Sequence, residues 1–173
     1  MQIVVKTAIL EDASDIANIA KDIFALACPS SAVPAEIEKY IPNSLNTGYF
    51  ESVITSKAAY IACAFVDGEM AGFVVAVYNS SCESQANLNN AAEIQKLYIR
   101  PKFHGKEIAY KLMTSAINEI TKPGIDTIWL GVYSNNIKAK RFYSKFGFNV
   151  VGKTNFTMDS EIHLDHIMAV NAL

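Results

Sequence analysis

The sequence predicts an α/β fold in which one mixed sheet of about seven strands is covered by about four helices. Three observations lead to this prediction. The 173 residues, of which 51% are hydrophobic, are enough for one domain with a substantial core. Apolar residues recur at helical spacing in some segments and form short β-branched runs in others. Turn signals separate these segments, and their order along the chain is β–α–α–β–β–β–α–β–α–β–β.

The first half of the chain supplies three strands and two helical regions. Residues 3–9 form a β-branched run that is typical of a strand. Residues 11–27 carry apolar side chains at helical spacing and acidic residues in the first turn, which favour a helix N-terminus. Residues 35–55 indicate a second, interrupted helical region. The two apolar runs within 58–78 meet at Asp67-Gly68, a dipeptide typical of a β-hairpin turn.

The second half begins with a polar loop at 79–90 and then alternates strands and helices. Residues 105–120 give a strong helix signal, because apolar side chains recur there every four residues. Pro123-Gly124 ends this helix, and Gly147 ends a shorter one. We find no internal repeat and no linker, so residues 1–173 are predicted to form a single domain. The remaining predicted elements are strands at 91–100, 127–133, 148–156 and 161–170 and a short helix at 136–146.

Composition argues against several classes of protein. No apolar run approaches the roughly 20 residues of a membrane-spanning helix, and the first ten residues lack the features of a signal peptide. Cys28, Cys63 and Cys82 form no CxxC pair, which argues against a disulfide framework or a zinc site. We therefore expect a reduced, cytoplasmic protein with no membrane partner and no bound metal. The formal net charge of −2 argues against nucleic acid as a partner.

Three side chains near the C-terminus are of types that bind metals. Alternating positions in the predicted strand put His163 and Asp165 on one face and His166 on the other. We therefore expect a structural or surface role for these residues.

Charge is unevenly distributed along the chain. Residues 1–70 hold nine acidic and four basic side chains, a net charge of −5, and residues 71–173 hold eight acidic and eleven basic ones, a net charge of +3. Such a chain can bind a cation with its first half and a polyanion with its second half. Scattered surface charge on an ordinary soluble domain explains the distribution equally well.

A basic turn precedes the predicted helix at 105–120. Arg100, Lys102, His104 and Lys106 lie in this turn or beside it, and the first backbone N–H groups of a helix have no partner within the helix. Such a turn can hold a pyrophosphate group. A helix start with solvated lysines is the alternative, and the turn on its own favours that alternative.

Two further segments carry polar groups that suit catalysis. Asn136 can cap the short helix or reach a ligand, and the Tyr143 hydroxyl needs a hydrogen-bond partner or a chemical role. The neighbouring Phe142 is interpreted as part of the core. Glu93 begins an otherwise apolar strand, where it is either solvated or a base at the end of the sheet.

Together these segments resemble the GNAT superfamily, the GCN5-related N-acetyltransferases, over roughly residues 60–150. Residues 104–109 occupy the Q/R-x-x-G-x-G/A signature that binds the acetyl-CoA pyrophosphate, although His104 and Glu107 depart from it. The resemblance implies the GNAT fold, with a mostly antiparallel central sheet. The later N-x-x-A-x-x-x-Y-x-x-x-G-F pattern is matched in full by Asn136, Ala139, Tyr143, Gly147 and Phe148.

The resemblance also implies a reaction, the direct transfer of the acetyl group of acetyl-CoA to a primary amine. Glu93 would deprotonate the amine, directly or through water, and Tyr143 would protonate the leaving thiolate. A gap between the strands at 91–100 and 127–133 would receive the pantetheine arm. The residues expected to bind acetyl-CoA are Leu97, Tyr98, Ile99, His104, Gly105, Lys106, Glu107, Ile108, Ala109, Asn136 and Lys145.

A closer resemblance, to the PaiA-like branch that acetylates polyamines, comes from residues 128–136 and 146–168. It implies a polyamine acceptor such as spermidine or spermine, which the acidic first half, including Glu36 and Glu38, would attract. Acetylation of a protein N-terminus, a lysine or another small amine is an alternative, and so is a non-catalytic sensor of acetyl-CoA. We expect residues 25–55 and 78–90 to select the acceptor, and the protein to be a monomer or a homodimer.

Overall fold

The computed structural model describes residues 2–85 and 88–172, which form one sheet with helices on both faces. The predicted loop at 78–90 thus includes two residues, Ala86 and Asn87, that lie outside the described residues. The strands are β1 (Ile3–Thr7), β2 (Ala59–Val66), β3 (Glu69–Val77), β4 (Ala91–Ile99), β5 (Thr127–Tyr133), β6 (Asn149–Met158) and β7 (Glu161–Asn171). The helices are α1 (Ala13–Ala27), α2 (Pro34–Ser44), α3 (Thr47–Thr55), α4 (Ile108–Ile120) and α5 (Ile137–Ser144).

The interrupted helical region predicted at 35–55 is two separate helices, α2 and α3. The break falls at Leu45, which is buried, and at Asn46, which has an extended backbone. The Asn46 side-chain oxygen accepts a hydrogen bond from the Tyr49 N–H at 2.8 Å, so Asn46 caps the start of α3. The described chain therefore has five helices where the sequence predicts about four.

The sheet has the strand order β1-β2-β3-β4-β5-β7-β6, and neighbouring strands are antiparallel except for β4 and β5. This order confirms the predicted mixed, mostly antiparallel sheet. The parallel pairing is short, because residues 91–93 of β4 pair with residues 127–129 of β5 and the two strands then separate. β4 meanwhile stays paired with β3 as far as Ile99. This opening between β4 and β5, called the split, is at the position of the gap that the family resemblance implies.

Helices bury both faces of the sheet. On one face, α4 and α5 pack over a core that includes Leu112. On the other face, α1, α2 and α3 pack over a core that includes Ile16 and Phe50. A smaller cluster around Cys82 and Trp129 lies beneath the loop that follows β3. No helix within the described ranges combines the length and the apolar character needed to cross a bilayer.

Candidate active site

The split leaves backbone N–H groups free along one edge of β4. The Arg100 N–H donates to the Ala71 carbonyl oxygen at 2.8 Å and therefore points towards β3. N–H groups alternate sides along a strand, so those of Leu97 and Ile99 point into the split. Gln95 has no partner on β3 and forms a β-bulge just before these residues. Two donors thus face the opening in which the sequence predicts the pantetheine arm.

A cleft of about 980 Å³ opens from the split on the face covered by α4 and α5. Its walls are the end of β4, the turn before α4 with the first turn of that helix, one side of α5, and Ile23 of α1. The cleft brings together most of the residues that the sequence predicts to bind acetyl-CoA, along with the predicted acid. The predicted residues on its walls are Leu97, Ile99, His104, Gly105, Glu107, Ile108, Ala109, Asn136, Tyr143 and Lys145.

Tyr98 and Lys106 of the predicted set do not line the cleft. The Tyr98 ring lies on the opposite face of the sheet, with its centroid 5.5 Å from that of Phe73, and burial raises the pKa of its hydroxyl. The Lys106 ammonium lies over the Phe103 ring, 5.3 Å from the centroid. Tyr98 therefore presents no side-chain group to the cleft, whereas the Lys106 ammonium lies beside it, over Phe103, which does line the cleft.

The turn before α4 presents a run of free backbone N–H groups. In the described part of the chain, no group accepts a hydrogen bond from the N–H groups of residues 105–110. Gly105 and Glu107 have φ angles of 76° and 60°, which lie in the left-handed region. Turns of this kind direct successive N–H groups to one concave side, and the N-terminus of α4 adds its dipole. The turn therefore suits an anionic ligand such as a pyrophosphate.

His104 connects this turn to the split. Its Nε2 atom donates a hydrogen bond to the Ile99 carbonyl oxygen at 3.0 Å, since a carbonyl oxygen can only accept. The imidazole thus holds the turn against the last residue of β4.

Helix α5 contributes a row of cations to the cleft. Lys138, Arg141 and Lys145 all line it, and their spacing of three and four residues places them on one side of the helix. The sequence analysis identified Lys145 and missed the other two, although this helical spacing was a signal that could have found them. Asn136 caps the helix, because its side-chain oxygen accepts a hydrogen bond from the Ala139 N–H at 3.0 Å.

Tyr143 lies on the cleft wall with its hydroxyl available to a ligand. Its ring packs beside that of Phe148, with centroids 6.1 Å apart. No described residue forms a hydrogen bond with the hydroxyl, and burial raises the pKa of Tyr143 to about 12. The hydroxyl therefore keeps its proton at neutral pH and can donate a hydrogen bond to a bound group, although the raised pKa makes it a weaker acid than a free tyrosine.

Glu93 lies on the opposite face of the sheet from the cleft. It pairs with Val77 of β3, which packs against the α1–α3 core, and directly opposed residues of antiparallel strands share a face. Its Oε2 atom accepts a hydrogen bond from the Ser80 hydroxyl at 2.9 Å. Burial raises the pKa of Glu93, although the Ser80 hydrogen bond and the Lys96 charge oppose the shift. Glu93 is thus a partly desolvated carboxylate at the start of the split.

The C-terminal residues His163, Asp165 and His166 occupy the two faces that alternation predicts. The His163 ring contacts the Tyr133 ring, with centroids 6.5 Å apart, whereas the His166 Nδ1 atom is 3.4 Å from the Lys140 Nζ atom of α5. Among the described residues, no group of three or more His, Cys, Asp or Glu side chains is arranged to hold a metal ion.

Comparison with known proteins identifies a family and a fold. The family model described as Acetyltransferase (GNAT) family matches residues 20–148. An uncharacterized N-acetyltransferase of Mycobacterium tuberculosis is 29% identical over 159 residues, which cover 92% of this chain and 97% of that protein. A spermine/spermidine N(1)-acetyltransferase of Bacillus subtilis is 28% identical over 94 residues, which cover 53% of this chain and 60% of that protein. The PaiA N-acetyltransferase from Thermoplasma acidophilum, solved in complex with coenzyme A, has a TM-score of 0.81 and 23% identity, with 99% of each chain covered.

Proposed function

This chain belongs to the GNAT acetyltransferase family, and we propose from that premise that its acceptor is a primary amine of a polyamine such as spermidine or spermine. The chain is an acyltransferase that depends on acetyl-CoA. The observation that carries the proposal is the split, which joins a cleft suited to acetyl-CoA on one face to a carboxylate on the other. Residues 1–173 would then form one catalytic domain that acts in the cytoplasm, as a monomer or a homodimer.

The residues of the cleft fit acetyl-CoA, which supplies the acetyl group as a thioester. The free N–H groups of residues 105–110 suit its pyrophosphate, and the three cations of α5 add positive charge. The N–H groups of Leu97 and Ile99 would hold the pantetheine arm and the thioester oxygen. A fixed donor aimed at an oxygen on which charge develops contributes roughly 3 kcal/mol to catalysis.

Glu93 is our proposed base, acting directly or through a water molecule. Free alkylamines have a lysine-like pKa of about 10.4 and are protonated at neutral pH, whereas only the neutral amine attacks a thioester. Burial raises the pKa of Glu93 and so increases its affinity for a proton. Its position on the α1–α3 face lets the acceptor approach the split from the side opposite the cleft.

Tyr143 is our proposed acid. Tyr143 lines the cleft, and its hydroxyl carries its proton at neutral pH and has no hydrogen-bond partner among the described residues. It can donate that proton to the thiolate as the C–S bond breaks and the C–N bond forms. Over the whole reaction, the acceptor ammonium loses two protons. The thiol of CoA gains the equivalent of one proton, and the other is released to solvent.

Sequence similarity and charge support a polyamine acceptor. The Bacillus subtilis relative is named for spermine and spermidine. The first 70 residues carry a net charge of −5, and they supply the helices on the face from which the acceptor would enter. An acidic entrance concentrates a polycation and orients it towards the site.

An acetylation assay with a panel of acceptors tests this function. The panel contains spermidine, spermine, aminoglycosides, amino acids and peptides with a free N-terminus or lysine. We expect the highest kcat/KM with polyamines and a steep decrease with salt, because the Debye length falls from roughly 10 Å at 0.1 M to about 3 Å at 1 M. A flat salt profile, or a preference for peptide N-termini, contradicts the polyamine assignment. Thermal stabilisation by CoA without acetylation of any amine would favour the sensor alternative.

A further inference from the structure

On the α1–α3 face, the split exposes Gly131 of β5. Gly131 follows Trp129, the last β5 residue paired with β4, by two positions, so both point to the same face. It is exposed in a strand that is otherwise largely buried. Within 4 Å of the position that a Gly131 Cβ atom would take, the described structure has one atom beyond the chain neighbours, the Asp165 Oδ2 at 3.7 Å. The space above Gly131 is therefore open and is bounded by a carboxylate.

Asp165 is a half-buried carboxylate that forms no hydrogen bond with the described residues. It pairs with Tyr133 of β5, in the part of β5 that no longer pairs with β4. Burial raises the pKa of Asp165 to about 6 while the neighbouring His163 lowers it, so the group is largely ionised at neutral pH. Glu161, two positions before His163 on the same strand, differs from Asp165 in having a hydrogen-bond partner, because its Oε2 atom accepts a hydrogen bond from the Val33 N–H at 2.9 Å. Asp165 is therefore available to a cation.

Asp165 and Glu93 face the same side of the sheet from the two sides of the split. Glu93 is level with Trp129, and Gly131 lies about 7 Å further along β5 and about 5 Å to the side, given ordinary strand spacings. The Cβ positions of Glu93 and Gly131 are thus about 9 Å apart. The Asp165 Oδ2 atom is 3.7 Å from the position of a Gly131 Cβ atom, so a short diamine laid over β5, beside the Trp129 ring, would have a carboxylate near each end.

We propose that Asp165 binds a second ammonium group of the acceptor, while the ammonium group near Glu93 is deprotonated and acetylated. The inference rests on the proposed function, since it assumes that the acceptor enters on this face. The second ammonium keeps its proton and forms a charge-assisted hydrogen bond with the Asp165 carboxylate. The open space above Gly131 gives the alkyl chain room. Asp165 therefore selects diamines and polyamines over monoamines.

A comparison of matched substrates and variants tests this role. Butane-1,4-diamine and butylamine differ by one amine, and Asp165→Asn removes one charge without changing the shape of the side chain. The wild type should prefer the diamine by about 10- to 100-fold in kcat/KM, the range expected for a hydrogen bond to a charged group. Asp165→Asn should remove that preference through a higher KM for the diamine, while kcat/KM for butylamine stays unchanged. Calorimetric affinities of the CoA-bound protein for the two amines give the same comparison without turnover.

Two more variants separate space from charge. Gly131→Ala adds a methyl group above the split without backbone strain, because Gly131 does not have a left-handed φ. It should raise the KM for the diamine. Glu119→Gln removes a carboxylate near the end of α4, on the opposite face of the sheet and outside the cleft, and should leave kcat/KM unchanged for both substrates. Acetyl-CoA should raise the Tm of all three variants as much as that of the wild type, since none of them touches the cleft.

The outcomes distinguish this inference from the proposed function. A wild type without a preference for the diamine contradicts both. A wild-type preference that persists in Asp165→Asn overturns the role of Asp165 and leaves the polyamine function standing. An equal loss with both amines also overturns it, because Asp165 would then act on the reacting amine or on folding. Selective loss with the diamine alone supports it.

Discussion

Glu107 combines an unusual backbone conformation with an unfavourable charge. Its φ of 60° places a side chain in the left-handed region that glycine adopts without cost, at the position where the family signature has glycine. Its carboxylate is exposed on the residue that precedes α4, among the N–H groups proposed to bind a pyrophosphate. The turn therefore keeps the glycine-like conformation, and the extra negative charge opposes an anionic ligand.

Two substitutions of Glu107 separate these effects. Glu107→Gln removes the charge and should lower the Kd for CoA several-fold, because a like charge near the pyrophosphate is lost. Glu107→Gly also removes the side chain and should lower the Kd at least as much. Isothermal titration calorimetry with CoA measures both changes, and Glu38→Gln, an exposed carboxylate on α2, is the control. An unchanged Kd in both variants would show that the Glu107 side chain does not influence the bound anion.

Tyr143 can be tested by removing one oxygen atom. Tyr143→Phe keeps the ring that packs on Phe148 and deletes the hydroxyl that lines the cleft. General acid catalysis is typically worth roughly 10²–10⁴-fold, so kcat should fall by an amount in that range while the Kd for CoA stays the same. Steady-state kinetics and calorimetry give the two values. An unchanged kcat would reduce Tyr143 to a core residue.

Among the elements, the hairpin of β6 and β7 is fastened to the start of α2. The Glu36 Oε2 atom accepts the Ser160 N–H at 3.2 Å, and the Lys39 ammonium lies 3.0 Å from the Asp159 carboxylate. The Glu36 side chain is only 12% exposed. From the sequence alone, Glu36 and Glu38 are equivalent acidic residues that would attract the acceptor. The structure distinguishes them, because Glu36 has this structural task and Glu38 is exposed.

This difference predicts a difference in stability. Glu36→Ala should lower the Tm by about 2–4 °C, since one hydrogen bond to a charged group is worth about 1 kcal/mol or more in a protein of this size. Glu38→Ala, two positions away in the same helix, should leave the Tm nearly unchanged. Thermal unfolding followed by circular dichroism measures both. Equal Tm values would mean that the contact between hairpin and helix contributes little to stability.

Local sequence patterns were sufficient to locate the elements, because apolar spacing and turn residues act over a few positions. The pairing between distant strands needed the structure. The bulge at Gln95 and the early end of the pairing at Glu93 and Trp129 depend on where three strands meet. For the same reason, alternation could place Asp165 on a face, but not beside Gly131 of another strand.

Across the whole molecule, the split separates two surfaces with different polar groups. The cleft on the α4–α5 face gathers free N–H groups and the cations of α5, together with the Glu107 carboxylate, whereas the opposite face presents the carboxylates of Glu93 and Asp165, with Lys96 beside Glu93. The motifs of the second half could reveal the first surface, because its residues lie close together along the chain. The second surface combines side chains from β4 and β7, which are far apart in the sequence. Only the strand order β4-β5-β7 brings these two strands to either side of β5.

We propose that the free N–H groups along the split and the turn hold CoA. This can be tested with backbone amide NMR shifts of the ¹⁵N-labelled protein, followed during a titration with CoA. We predict that the largest changes occur at Leu97, Ile99 and residues 105–110, because their N–H groups gain hydrogen-bond acceptors. Large shift changes at other amides, with these amides unchanged, would place the CoA site outside the cleft.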